Sequence, residues 1–160
     1  MTPTDPALMT AEDLLGLYAR GALSPVEALQ AVTERIARLN PRLNAFAVMN
    51  PHSLAAAGES AARWRAGRPL GELDGVPVTV KDLVDVAGLP TRRGSRLTDA
   101  APVAEDAPLV TGLRAAGAVM IGRPVSKPAT LRPNTRAASI TSATTAAVSA
   151  AFVAISWATP

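Results

Sequence analysis

The 160-residue sequence contains no cysteine and a single histidine, His52. Disulfides, thiol nucleophiles and zinc-thiolate sites are thereby excluded, and one imidazole cannot build a histidine metal site. His52 follows Pro51 near a predicted helix start, where an exposed side chain without a catalytic role is expected. Aromatic residues are also scarce, 3% against 48% hydrophobic residues, so the core must be packed from Ala, Val and Leu. The length permits one domain with a real core. The opening Met1-Thr-Pro-Thr-Asp-Pro lacks the basic and apolar stretches of a secretory signal, so a cytoplasmic protein is expected.

Acidic residues and glycines are missing from one region altogether. All 13 acids and all 11 glycines precede Arg123, and 21 of the last 38 residues are Ala, Ser or Thr. At the composition of residues 1–122 such a stretch would arise on the order of once in a few thousand times, which marks a compositional break. The same asymmetry explains the formal charge of +3. Residues 1–122 carry net −1, whereas 123–160 carry four basic side chains and no acid. A basic face tracking nucleic acid is therefore not expected on the main body. The uncharged stretch from Ala137 to Pro160 is long enough to span a bilayer, but Ile140, Val148, Phe152, Val153 and Ile155 are too few to offset its Ser and Thr. No membrane partner is expected.

The first 122 residues read as alternating helices and strands. Thr10 through Asp13 opens a helix carrying Leu14, Leu15 and Tyr18, with Gly21 as a stop. Ser24-Pro25-Val26-Glu27 is a stronger start, and predicts a helix to about Asn40 that buries Leu29, Val32, Ile36 and Leu39. Two helices in succession would suit a helix-turn-helix, but no basic recognition face is present and a packing hairpin is favoured. Asn44 to Met49 predicts a strand, Ser53 to Ala66 a helix, Val76 to Lys81 a strand, Asp106-Ala-Pro108 a helix start, and Ala118 to Ile121 a buried strand. Strand, helix and strand in this order indicate a βαβ unit with a parallel sheet, hence an α/β protein.

Lysine is rare as well. Lys81 is the only lysine in the first 122 residues, where arginine supplies the other 11 basic side chains. Arginine cannot lose its proton in a protein, whereas lysine withdrawn from water can. Lys81 ends an apolar, β-branched run and enters a glycine-rich segment, so a base is one possibility and an ordinary strand-end lysine the other.

The surrounding motifs bear on that choice. Leu43-Asn-Ala-Phe46, Gly71-Glu-Leu-Asp-Gly-Val-Pro-Val-Thr-Val-Lys-Asp82, Val86-Ala-Gly-Leu-Pro-Thr91 with Gly94-Ser95, Asp106-Ala-Pro108 and Leu113 to Gly122 follow one another in order. Together they resemble the N-terminal part of an amidase-signature enzyme. The resemblance implies a mixed sheet surrounded by helices, and hydrolysis or transfer of carboxamide groups by a Ser-Ser-Lys triad without cofactor or metal. It assigns Lys81 as the general base and places Thr91, Gly94 and Ser95 in a substrate-side loop, Ser95 not being the nucleophile. Asp82 either orients this region or is an ordinary surface carboxylate. The expected partner is a small-molecule amide, while the oligomeric state is not readable.

The resemblance stops near Gly122. A glycine-rich loop should then supply the two triad serines, but none of Ser126, Ser139, Ser142, Ser149 and Ser156 has glycine neighbours to let backbone amides crowd a reacting carbonyl. The chain therefore divides into a partial amidase domain, 1–122, and an aberrant tail, 123–160. The expectation is an out-of-frame tail, with an irregular or disordered course, on an inactive product. The alternative is a non-catalytic binding or regulatory module. Translation of the coding DNA in the other two frames from codon 123 should reveal a Gly/Ser-rich amidase continuation. Finding none in either frame would rule out a frame change.

Overall fold

The computed structural model describes residues 5–95 and 97–125. The tail from residue 126, with all five serines considered above, lies outside the described residues, as does Arg96. A single 3-10 turn at Pro6–Leu8 leads into helix α1, Ala11–Ala19, and helix α2, Pro25–Leu43. Both helices begin with reciprocal capping boxes, Thr10 with Asp13 and Ser24 with Glu27, as their sequences predict. Strand β1, Phe46–Met49, and helix α3, Ser53–Arg65, come next, then β2, Pro77–Thr79, α4, Pro108–Ala115, and β3, Val119–Pro124.

Helix α2 does not end before Pro41. Proline forfeits one hydrogen bond in the last turn, and local caps compensate for the loss. The Asn44 N–H donates to the Asn40 carbonyl at 2.7 Å with Asn44 in the left-handed region at φ 46°. The Asn40 side-chain oxygen also accepts from the Ala45 and Phe46 N–H groups at 2.8 and 2.9 Å. The burial expected along α2 is only partly met. Leu29 and Val32 are buried, whereas Ile36 and Leu39 are half-buried. They face a cavity of about 50 Å³ shared with Val32, Leu43, Phe46 and Ile121 instead of a closed core.

The strands form a mixed sheet in the order β1-β3-β2. Strand β2 is parallel to β3 across the α4 crossover, and β1 is antiparallel to β3. Strand β2 is shorter than the apolar run suggests because the chain turns at Lys81, whose carbonyl accepts from the Leu83 and Val84 N–H groups at 2.7 and 3.1 Å. Strand β3 is longer than expected. Paired on both sides, it carries on through Arg123 and Pro124, which sit opposite Val48 and Phe46.

Alternating side chains send the two faces of the sheet into different clusters. Val76, Val78, Val80 and Met120 pack with Val86, Leu89 and Val110 of α4. Val119 and Ile121 pack with Leu29 and Val32 of α2 and Ala57 of α3. Leu14, Tyr18 and Ala28 form a third cluster.

The entry to β2 is set by Asp74, whose side chain is fully buried. Arg63 of α3 grips it through two hydrogen bonds, 3.0 Å from Nε and 2.6 Å from Nη2, and the Leu70 N–H adds a third at 2.8 Å. The Trp64 indole donates to the Asp74 carbonyl at 3.0 Å. Gly117, at φ +85°, lies so close that a Cβ there would be 2.7 Å from the Asp74 Cα. Burial pushes the Asp74 carboxyl up, but the Arg63 and Leu70 donors outweigh it and hold the group below the usual carboxylate range.

A carboxyl with a depressed folded pKa contributes stability that is present above its unfolded pKa of about 4 and lost as pH falls through the folded value. Asp74→Asn should therefore flatten part of the acid limb of a urea-unfolding series. Asp74→Ala, which strands Arg63, should cost about 3 kcal/mol, the low end for a broken buried pair because the arginine is partly solvated.

Candidate active site

Lys81 stands two residues past the C-terminal end of β2 and is exposed to solvent. The next side chain turns inward, and Asp82 is only 4% exposed. Of the two roles left open for Asp82, burial favours the orienting one over a surface carboxylate. Its Oδ1 accepts from the Arg92 N–H at 3.0 Å and its Oδ2 from the Gly94 N–H at 3.3 Å. The Asp82 N–H itself donates to the Pro124 carbonyl at 3.3 Å. One carboxylate thus ties the loop carrying Thr91, Gly94 and Ser95 to the turn that presents Lys81.

The loop is tightly wound. Arg93 and Gly94 are both left-handed, with φ of 54° and 72°, a conformation that glycine adopts freely and an arginine at some cost. The Ser95 N–H donates to the Arg92 carbonyl at 2.9 Å, and its hydroxyl oxygen accepts from the Leu97 N–H at 3.1 Å. These are turn-forming bonds. Thr91 is buried and its hydroxyl has no hydrogen-bond partner among the described residues.

The residue that sequence reasoning missed is Arg123. Its place at the start of the acid-free stretch gave it no role, yet it is fully buried in β3. Its Nε lies 3.3 Å from Asp82 Oδ1, and its Nη2 donates to the Val84 carbonyl at 2.8 Å and to the Lys81 carbonyl at 3.5 Å. Burial pulls the guanidinium below its ordinary pKa, while Asp82 and Asp85 act the other way. A sequence signal existed in principle, since Arg123 continues the alternation of Val119 and Ile121. Nothing local paired it with an aspartate 41 residues earlier.

The site has no metal centre among the described residues, which hold no cluster of three or more His, Cys, Asp or Glu side chains. The cavity beside α2 is apolar, and none of residues 81–95 lines it. The arrangement offers an amine at a strand end, flanked by a loop held through a buried carboxylate.

Likeness to known proteins extends well beyond this local geometry. The sequence model of the family described as Amidase matches residues 27–151. The chain belongs to the amidase family. A glutamyl-tRNA(Gln) amidotransferase subunit of Salinispora arenicola (strain CNS-205) is 43% identical over 121 residues, 75% of this chain and 25% of that protein. Indoleacetamide hydrolase of Bradyrhizobium diazoefficiens is 39% identical over 114 residues, 71% of this chain and 22% of its own length. The crystal structure of native peptide amidase from Stenotrophomonas maltophilia superposes with a TM-score of 0.67 at 36% identity, over 77% of this chain and 25% of that one. The chain thus spans about a quarter of the length of the curated relatives it matches. No described helix of this amidase-family chain is long and apolar enough to cross a membrane.

Asp82→Ala strands the buried Arg123 and should lower protection in β3, and it should release the Arg92 and Gly94 amides further still. Hydrogen bonds to a charged group are worth about 1.5–3 kcal/mol, so exchange at these two amides should accelerate by about tenfold or more. Hydrogen-exchange NMR resolves them individually.

Proposed function

We propose that this chain carries the lysine portion of a carboxamide-cleaving site, with Lys81 as general base of a Ser-Ser-Lys triad. The observation that supports it is the juxtaposition at the end of β2, where the Lys81 turn and the Thr91–Ser95 loop share the Asp82 carboxylate. A serine hydroxyl is a poor nucleophile at neutral pH and needs a base within hydrogen-bond reach. In the proposed chemistry Lys81 takes a proton through a bridging serine as the nucleophilic serine attacks the amide carbon. The tetrahedral intermediate collapses as the C–N bond breaks, ammonia leaves with a returned proton, and water releases the acyl group. Backbone N–H donors would stabilise the intermediate oxyanion. Those of Arg92 and Gly94 are already engaged by Asp82 and are not available for it.

Cleavage of a small carboxamide is the step this proposal commits to, whether ammonia is then released or passed on. The 160-residue chain itself is proposed to be inactive, since no serine with glycine neighbours follows Gly122. That same absence favours a second reading, a binding or regulatory module built on the amidase scaffold.

Purified chain should release no ammonia from simple carboxamides above the level of Lys81→Ala, and Lys81-dependent turnover would overturn the claim of inactivity. Residues 1–125 joined to the corresponding remainder of the Salinispora arenicola protein should restore ammonia release. In that chimera Lys81→Ala should lower kcat by about 10²- to 10⁴-fold, the usual weight of a general base. An unchanged kcat would remove Lys81 from that role.

A further inference from the structure

We propose that Arg123 is a positioning residue for Lys81, acting through the backbone of the Lys81–Val84 turn and through Asp82. The inference deepens the proposed role of Lys81 and rests on it. Lys81 lies beyond the last regular residue of a three-residue strand, so β2 alone does not fix its direction. The turn that follows offers two inward carbonyls, those of Lys81 and Val84, and one buried carboxylate, that of Asp82.

The Arg123 guanidinium meets all three from the neighbouring strand. Nη2 reaches the Val84 carbonyl at 2.8 Å and the Lys81 carbonyl at 3.5 Å, and Nε stands 3.3 Å from Asp82 Oδ1. A planar fork can serve several acceptors at once from a rigid position. Asp82 in turn holds the Arg92 and Gly94 N–H groups. The lysine turn and the substrate-side loop are therefore two arms of one clamp, closed from β3. Strand β3 is itself paired on both sides, as the central strand of the sheet. An arginine buried to this degree beside an aspartate is costly unless its charge is met, and all three groups that meet it belong to the turn that carries Lys81. Nη2 carries the hydrogen bonds and Nε the ion-pair contact, while Nε and Nη1 have no hydrogen-bond partner among the described residues.

The test uses the intact chain and exploits its shortage of lysine, since Lys81 and Lys127 are the only two. The rate at which Lys81 is acetylated by a small reagent is measured by mass spectrometry relative to the α-amine of Met1 in the same molecule. The measurement is made under native conditions and again in urea. In the parent the two conditions should give different ratios, because the native turn fixes the surroundings of the amine. Arg123→Gln and Asp82→Asn should each move the native ratio by about threefold or more toward the urea value, within the coupling expected of one network. The double variant should go no further than either single. Arg123→Lys keeps the cation but not the fork, and should move the ratio toward the urea value by less than Arg123→Gln.

A general loss of stability would lower Tm without moving this ratio in molecules that remain folded by circular dichroism, so the two effects separate. The proposal is overturned by equal native and urea ratios in the parent, or by a folded Arg123→Gln with the parent's ratio. If Arg123→Gln does not fold, Asp82→Asn decides in the same way. Because labelling reads the surroundings of Lys81 and not turnover, failure here would leave the amidase reading standing. Failure of the chimera would conversely leave the clamp.

Discussion

The buried pairing of Asp82 with Arg123 is the constraint on which the candidate site depends. Removing both charges from water costs on the order of several kcal/mol per ion, which only good geometry and further hydrogen bonds can offset. Asp82 meets that demand with backbone, and Arg123 meets it in part, through Nη2 alone, its Nε and Nη1 having no hydrogen-bond partner among the described residues. Asp82 collects the Arg92 and Gly94 amides, and Arg123 reaches the Lys81 and Val84 carbonyls. The cost of burying the pair thereby becomes a reason for the Lys81 turn and the loop around Gly94 to keep one geometry.

The same device recurs at the other end of β2. Asp74 lies just before the strand, buried, held by Arg63 and by the Leu70 amide. A strand of three residues has few ladder bonds of its own. Its position is set by an aspartate at each end, each recruiting an arginine from a different element, α3 at the entry and β3 at the exit. The valines between them fill the core, but valine packing fixes neither end of the strand. Directional bonds do.

This economy suits a chain poor in aromatic residues. Small aliphatic side chains give a core without large anchors, and among the described residues Tyr18 and Trp64 form the one aromatic pair, with centroids 5.9 Å apart. Both are turned to the same purpose, since the Tyr18 hydroxyl donates to the Gly75 carbonyl at 3.3 Å and the Trp64 indole to that of Asp74. The approach to β2 is thus gripped from α1, α3 and the α4–β3 turn together. By contrast, the C-terminal half of α2 is loosely covered, and Ile36 and Leu39 remain half-buried there.

Local chemistry was legible without coordinates because it is short-range. Thr10 with Asp13, and Ser24 with Pro25 and Glu27, specify helix starts within four residues, and the βαβ order specifies the parallel pairing of β2 with β3. The ordered motifs from Leu43 to Gly122 were enough to point to the amidase family. The end of α2 was misread because the Asn40 and Asn44 caps that offset the hydrogen bond Pro41 forfeits form only with residues beyond the proline. The partnership of Asp82 and Arg123 was invisible for a different reason. Forty-one residues separate them, and the composition of the chain after Gly122 argued against any structural role for Arg123. Only the sheet, by placing β3 beside β2, brings the two charges into the same dry space, where neither can stay without the other.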